Sequence, residues 1–284
     1  VYFICNPQIS FFKKVYKRHT NFSVEYQKFE SDSVLNFGKS TTFTIPRKGD
    51  LIKNLFLQIE LPNLTSSDGR NVSYVIYIGY AIIDYIELYI NTSRIDKITG
   101  EWLYIYNQLT VPESKKRGYN IMVGGKNFIG YNTFVGNQGN TYIIPLNFWF
   151  TQDTGSALPY AALQYSDIEI KIKFKDFDKL WITGDGEQPI GDFKITSVHF
   201  GLEYIFLDTK ERKEFATVSH EYLIKQTQYS FNNNITANTK TKTFNLIFNH
   251  PVIELIFVVH TKNKLLPSID GGHDFFNYSK TDTY

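Results

Sequence analysis

Lys13, Lys14, Lys17 and Arg18 stand among Phe11, Phe12, Val15, Tyr16 and Phe22, with His19 beside them. Cations interleaved with aromatics are the residue types that engage phosphate. On a nucleic acid the cations follow the backbone and the rings stack on bases. At a membrane the rings enter the interface and the cations meet acidic headgroups. The same residues also serve as a charged packing segment, so three readings stand at this point. A helix through them leaves no clean apolar stripe beyond Phe11, Phe12, Val15 and Tyr16. The net charge of the whole chain is only +2, which weakens a polyanion-binding role for the molecule at large.

Other groups capable of chemistry are scattered. The six histidines are His19, His199, His220, His250, His260 and His273. They form no His-x-His pair and no HExxH motif, so no metal-ligand spacing emerges. Cys5 is the lone cysteine. It excludes an internal disulfide framework and a cysteine-rich zinc site, and is expected to be a packing residue. The stretch MVGGKNFIG at 122–130 has paired glycines and a lysine without phosphate-loop spacing, and reads as a loop. Asp167 and Glu169 share a strand face but alternate with Lys171 and Lys173, as on a solvated sheet face. No carboxylate pair stands out for glycoside hydrolysis. The expectation is therefore no catalytic residue, no cofactor and no metal. Asn-x-Ser/Thr sequons occur at Asn21, Asn63, Asn71, Asn91, Asn234 and Asn277. With no secretory signal visible, most are expected to be incidental. Asn63, Asn71 and Asn91 lie near predicted turns and are the candidates for sugar attachment.

The elements that must position these residues are mostly strands. In SDIEIKIKFKD, Ile168, Ile170, Ile172 and Phe174 alternate with charged residues, a sheet with one wet face. Leu55, Leu57, Ile59 and Leu61 repeat the period of two, as do Phe22, Val24 and Tyr26, and Val198, Phe200, Leu202, Tyr204 and Phe206. YLIKQTQYSF, KTFNLIFNH and VIELIFVVH follow as further strand signals. The 20 tyrosines and 24 phenylalanines fit strands. Helical patterns are few: Thr99 to Thr110, and Asp208 to Ala216 with Asp208 or Thr209 as its N-cap. The longest apolar run, VSYVIYIGYAIIDYIELYI, is broken by Asp84 and Glu87, short of the roughly 18 to 20 apolar residues of a spanning helix. Many short strands joined by longer loops predict an all-β jelly-roll sandwich with few short helices. Strands from Phe22 to Phe206 suffice for one complete eight-stranded jelly roll. The remaining three strand signals are expected to open a second, truncated one. The expected divisions are an N-terminal basic and aromatic segment at 1–21, a first jelly roll at 22–206, a helical connector at 207–221, and the start of a second jelly roll at 222–284. The chain is expected to be a fragment.

Six segments in order resemble the major capsid protein of nucleocytoplasmic large DNA viruses, the double-jelly-roll family of phycodnavirus, mimivirus and iridovirus type. They are NPQISFFKKVYKRHTNF at 6–22, RKGDLI at 47–52, the run from Asp84 through Arg94, Ile95, Asp96 and Lys97 to Trp102, PLNFWFTQDTGSALPYAALQYSDIEIKIKF at 145–174, YIFLDTKERKEFATVSHEYLI at 204–224, and FNLIFNHPVIEL at 244–255. The fourth of these segments, at 145–174, is the most specific. The resemblance implies two stacked jelly rolls per subunit, a homotrimeric pseudo-hexagonal capsomer, and an icosahedral shell assembled in the host cytoplasm and carried in the virion. It implies neighbouring capsomers, minor capsid proteins and an internal viral membrane as partners, and no sequence-specific nucleic acid. It places Lys13, Lys14, Lys17 and Arg18 at the inner face as anchor contacts. Two other classes remain for comparison: a carbohydrate-binding or glycosidic jelly roll, which needs an aromatic platform or a close carboxylate pair, and a nucleic-acid-binding protein.

Overall fold

In a computed structural model of the chain, the residues described are 20–30, 36–65, 72–125, 140–183, 189–230, 235–236, 239–260, 275–276 and 278. Ten strands run as β1 (Phe22–Glu30), β2 (Ser40–Thr44), β3 (Leu51–Glu60), β4 (Val72–Tyr74), β5 (Ile83–Ile90), β6 (Ser93–Thr99), β7 (Thr141–Pro145), β8 (Ile168–Phe174), β9 (Trp181–Thr183) and β10 (Ser197–Leu207). Five α-helices lie among the described residues: α1 (Ile78–Ala81), α2 (Gly100–Thr110), α3 (Glu113–Val123), α4 (Trp149–Gln152) and, after β10, α5 (Thr209–Thr217).

Eight of the strands form two four-stranded sheets, ordered β1-β10-β3-β7 and β2-β8-β5-β6, with every pairing antiparallel. The chain passes repeatedly between the sheets, which is the wrapping of a jelly roll. β4 and β9 make a separate two-stranded ribbon.

The core lies between the sheets and follows from the period-two pattern. Ile168, Ile170, Ile172 and Phe174 of β8 are fully buried, as are Leu57 of β3 and Ile86 and Leu88 of β5. Each such side chain contributes about 1.5–3 kcal/mol of burial free energy. The two sheets meet directly where Phe43 of β2 stacks on Phe200 of β10, with ring centroids 4.4 Å apart and planes 7° from parallel.

β1 departs from the expected simple alternation. Phe22, Val24 and Tyr26 pair across from Leu207, Ile205 and Glu203, on the outer face of the first sheet. They are 62%, 48% and 55% exposed. The residue of β1 that packs inward is Phe29, against Phe43 and Tyr204. Period two identifies a strand; it does not say which face is the core face.

α2 begins where expected. The Thr99 side chain accepts a hydrogen bond from the Trp102 N–H, 3.2 Å, as its N-cap. α5 is capped by Asp208, whose carboxylate accepts from the Thr209 N–H. α3 was not expected from the sequence. Pro112 precedes it, Glu113 sits in its first turn, and Gly124 closes it at φ 79, a left-handed conformation that suits glycine.

Beyond α5 the expected strands do not form. Among the described residues from 218 to 260 no strand is assigned. YLIKQTQYSF, KTFNLIFNH and VIELIFVVH carry strand composition, but a strand exists only through a partner's hydrogen bonds, and none pairs them there. Ile247 is 91% exposed and Phe257 72%.

Candidate functional site

The stretch 145–174, the most distinctive in the sequence, proves to be a plug for the sandwich rather than a reactive site. Leu146, Phe148, Trp149 and Phe150 are buried around α4. Leu158 bridges to Ile52, with N–H to carbonyl bonds in both directions of 2.9 and 3.0 Å. The buried Tyr160 hydroxyl donates to the Ile45 carbonyl at 2.6 Å. Arg47 lies 4.5 Å over the Tyr160 ring and donates to the Leu163 and Ser166 carbonyls. A planar guanidinium can both stack and donate in this way. RKGD and the ALPYAALQY run therefore hold one another.

The outer face of the second sheet carries the charge ladder. Glu87 of β5 stands across from Lys171 of β8 and Lys97 of β6. Its carboxylate lies 3.1 Å from Arg94 Nη1 and 3.3 Å from Lys97 Nζ, and accepts from the Tyr89 hydroxyl at 3.2 Å. Burial pushes this carboxyl up, but Lys97, Arg94 and Tyr89 outweigh it and bring the net value below the usual range. Lys97 Nζ lies 3.9 Å over the Tyr85 ring. Lys173 pairs with Asp84 at 3.3 Å. Glu87, with its value lowered, is not held protonated for acid catalysis. The face is half-buried and ion-paired, more structured than the solvated surface expected from the sequence.

The four described histidines do not converge. His199 is half-buried on β10, its imidazole pushed down by burial and by Lys28. His220 stacks on Phe215. His250 adopts φ 68 in a bend. His260 meets Glu101. Among the described residues no group of three or more His, Cys, Asp or Glu side chains could hold a metal. His19, His273, Cys5, Lys13, Lys14, Lys17 and Arg18 lie outside the described residues. The glycine pair at 124–125 terminates α3 rather than opening a helix, so it offers no helix N-terminus to a phosphate. A cleft of about 180 Å³ beside α2 and α3, lined by Tyr106, Lys115, Tyr119, Asn147 and Thr151, is below the few hundred Å³ of ordinary ligand pockets. No helix among the described residues is long and apolar enough to cross a membrane.

Of the sugar-attachment candidates, Asn71 lies outside the described residues. Asn63 is exposed in the loop after β3. Asn91 sits at φ 54 in the exposed turn between β5 and β6. Its Nδ2, the atom a sugar would take, donates to Ser166 Oγ at 3.0 Å, and its Oδ1 accepts from the Asp167 N–H at 3.0 Å. Attachment there would replace one of the two Nδ2 hydrogens beside this bond.

Three acidic side chains that sequence reasoning did not single out tie the later part of the chain to the jelly roll. Asp50, 8% exposed, accepts from Arg212 Nε at 2.8 Å, Arg212 Nη2 at 3.0 Å and the Leu207 N–H at 2.8 Å. Asp96, buried on β6, accepts from the N–H groups of Lys97 and Thr227 at 2.8 and 2.9 Å. Burial pushes its carboxyl up to about 6, against the pull of those two bonds. Glu101, in the first turn of α2, lies 2.5 Å from His260 Nε2 and 3.2 Å from the Tyr278 hydroxyl. The signal in the sequence was only an acid inside an otherwise apolar or turn segment.

The remaining broad feature is surface. Phe22, Val24 and Tyr26 form an exposed apolar row on β1, continued by Phe56, which Tyr26 meets edge-on at 6.2 Å. Gly201 permits this, since a Cβ there would collide with the Tyr26 ring. Such a row marks association more readily than catalysis.

Comparison with known proteins agrees. A family described as major capsid protein N-terminus matches residues 10–208, and one described as large eukaryotic DNA virus major capsid protein matches residues 211–282. The chain belongs to the major capsid protein family of large eukaryotic DNA viruses. The capsid family includes a major capsid protein of Pyramimonas orientalis virus, 40% identical over 265 residues, covering 91% of this chain and 61% of that protein. Capsid protein 1 of Acanthamoeba polyphaga mimivirus is 37% identical over 279 residues, covering 93% of this chain and 47% of that protein. Among solved structures, a quasi-atomic model of the PBCV-1 virus capsid superposes with a TM-score of 0.63 at 32% identity, covering 76% of this chain and 50% of that one. The chain thus spans about half the length of the capsid relatives it matches. Those relatives are structural capsid proteins, not enzymes.

Proposed function

We propose that this chain is the shell-forming part of a major capsid subunit that self-assembles into homotrimeric, pseudo-hexagonal capsomers of an icosahedral virion. The observation that carries the reading is the jelly roll with an exposed apolar row, Phe22, Val24 and Tyr26, on one outer face. Area and shape do the work of such a protein, and no catalytic constellation is needed. In this reading residues 22–206 form the first jelly roll, 207–221 the connector, and 222–284 the start of a second jelly roll. Assembly takes place in the host cytoplasm. Residues 1–21 form an inner-face anchor, with Lys13, Lys14, Lys17 and Arg18 meeting acidic lipid headgroups of an internal membrane or minor capsid proteins.

Sedimentation or native mass spectrometry of the intact protein tests the trimer. The expected result is a trimer that dissociates when Phe22, Val24 and Tyr26 are all replaced by Ser, with strand content unchanged by circular dichroism. A wild-type protein that stays monomeric at high concentration overturns the proposal. For the anchor, replacing Lys13, Lys14, Lys17 and Arg18 by Gln is expected to leave the trimer intact and impair shell or membrane assembly. Unchanged assembly would mean that the segment is only packed between subunits.

A further inference from the structure

β6 ends the second sheet, so one of its edges has no strand beside it among the described residues. A short stretch past α5, residues 226–229, lies along that edge without joining the ladder. It engages three consecutive residues of β6. Gln226 Nε2 donates to the Ile95 carbonyl at 2.5 Å. The Thr227 N–H donates to Asp96 Oδ1 at 2.9 Å. The Lys97 amine lies 5.9 Å from the centre of the Tyr229 ring. These contacts fall where β6 shifts register against β5. Asp96 stands opposite Leu88 and Arg94 opposite Tyr89, which leaves Ile95 without a cross-strand partner. A bulge of this kind disrupts the ladder locally and favours a sheet edge.

Asp96 lies on the core side of β6, with the fully buried Leu88 and Ile98, and is itself 5% exposed. The charged groups nearest in the chain are engaged elsewhere. Lys97 and Arg94 reach Glu87 of β5 at 3.3 and 3.1 Å. Lys225, just before the stretch, is exposed. Among the described residues no cation pairs with Asp96. What acts on its carboxyl is burial, opposed by the N–H bonds from Thr227 and Lys97; burial prevails and raises it from 3.8 to about 6.

We propose that residues 226–229 form a latch on the open edge of β6 governed by the charge on Asp96, held most firmly when the carboxyl is protonated and looser once it ionises. Oδ1 can accept the Thr227 N–H in either state, because the proton can sit on Oδ2. Ionisation strengthens that bond, but it leaves a carboxylate shut away from water with no cation beside it. Opening the latch lets water reach the carboxyl, which then holds its proton less tightly than in the closed form. Acid therefore favours closure. The hold is complete below about pH 4, falls as pH rises through about 6, and is level above that. The latch sits where the chain leaves α5, so loosening it frees the start of the segment that follows.

Hydrogen exchange of the full chain tests the latch, with each amide's rate divided by its free-chain rate at the same pH. Protection of the Thr227 amide is expected to fall roughly ten- to a hundredfold between about pH 4 and 7 in the wild type. Asp96→Asn keeps the acceptor and cannot ionise. It should hold the acid level of protection across the range, and so exceed the wild type at about pH 7 by the same factor. Gln226→Ala loses the bond to Ile95 and should lower Thr227 protection about threefold or more at every pH, with the slope kept. A flat wild-type profile at Thr227, a wild-type slope in Asp96→Asn, or Thr227 protection unchanged by Gln226→Ala would each overturn the proposal.

Discussion

Replacing Arg212 by Met isolates what holds α5 to the jelly roll. α5 contributes no buried side chain of its own, so packing does little to fix it. Its strongest attachment runs through Arg212, which places two N–H donors on the Asp50 carboxylate at 2.8 and 3.0 Å; the Thr20 hydroxyl also donates to Glu211, and the Gln164 side chain to the Ala216 carbonyl at 3.4 Å. Asp50 is fixed from the other side by the Leu207 N–H, and its own N–H donates to the Ile205 carbonyl at 3.0 Å. Removing the guanidinium leaves a carboxylate whose side chain is 11% exposed with one backbone donor. Breaking a fully buried pair costs about 3–5 kcal/mol. The Arg212 side chain, however, is 51% exposed, so water can enter the vacated space. The discounted cost is roughly 1–2 kcal/mol. Because the bond lies between α5 and the end of β10, the loss should be local. Exchange protection in α5 should drop about tenfold while β10 and β3 keep theirs. Asp50→Asn should give a similar loss, and the double variant little more than either single one. Unchanged α5 protection in Arg212→Met, with the variant folded, would refute the attachment.

Three further outcomes are expected. Phe200→Ala removes the ring stacked on Phe43 between the sheets and should cost about 3–5 kcal/mol in urea denaturation. Pairing it with Phe43→Ala should give a coupling of about 0.5–1.5 kcal/mol. Asp96 has a folded value raised from 3.8 to about 6. Its contribution is therefore fully present below the unfolded value and is lost as pH rises through about 6, by on the order of 3 kcal/mol. Stability measured across that window should fall in the wild type and run flatter in Asp96→Asn. Asn91→Ala forfeits two side-chain hydrogen bonds and leaves a β-carbon at φ 54, and should cost about 1–2 kcal/mol by thermal unfolding, with Asn91→Gly recovering only the backbone part.

The parts legible in the sequence were those with a local physical rule. β8 and β3 declared themselves through period two. α2 did so through the spacing of Trp102, Leu103 and Tyr106, and α5 through an N-cap candidate at Asp208 or Thr209. The face chosen by β1 was not legible, because Phe22, Val24 and Tyr26 read the same whether turned towards the core or towards a neighbour. α3 was missed because Lys115, Lys116, Arg117 and Gly118 offer no apolar stripe, although Pro112 and Glu113 mark its start. The strand signals after α5 were correct as composition and unrealised as structure, since pairing is a property of two segments. Asp50, Asp96 and Glu101 could not be singled out, because each finds its partner more than 100 residues away.

Those three acids share a logic. Each lies where the jelly roll meets chain that follows it: Asp50 beside α5, Asp96 under Thr227, and Glu101 beneath His260 and Tyr278. An apolar seam there would be stronger per unit area, but it would tolerate sliding, since hydrophobic contact has no direction. A buried carboxylate accepts only from donors at fixed positions, and leaving it unmatched is costly. A slipped register would lose the Arg212 pair, the Thr227 N–H or the His260 contact outright. Polar pins thus set the position of the later segments on the first domain, while the apolar interior between the sheets supplies the stability. In a protein proposed to tile a shell, a small angular error between domains would be repeated in every copy. Directional pins at the seam are the economical remedy, and the Arg212 substitution probes one of them.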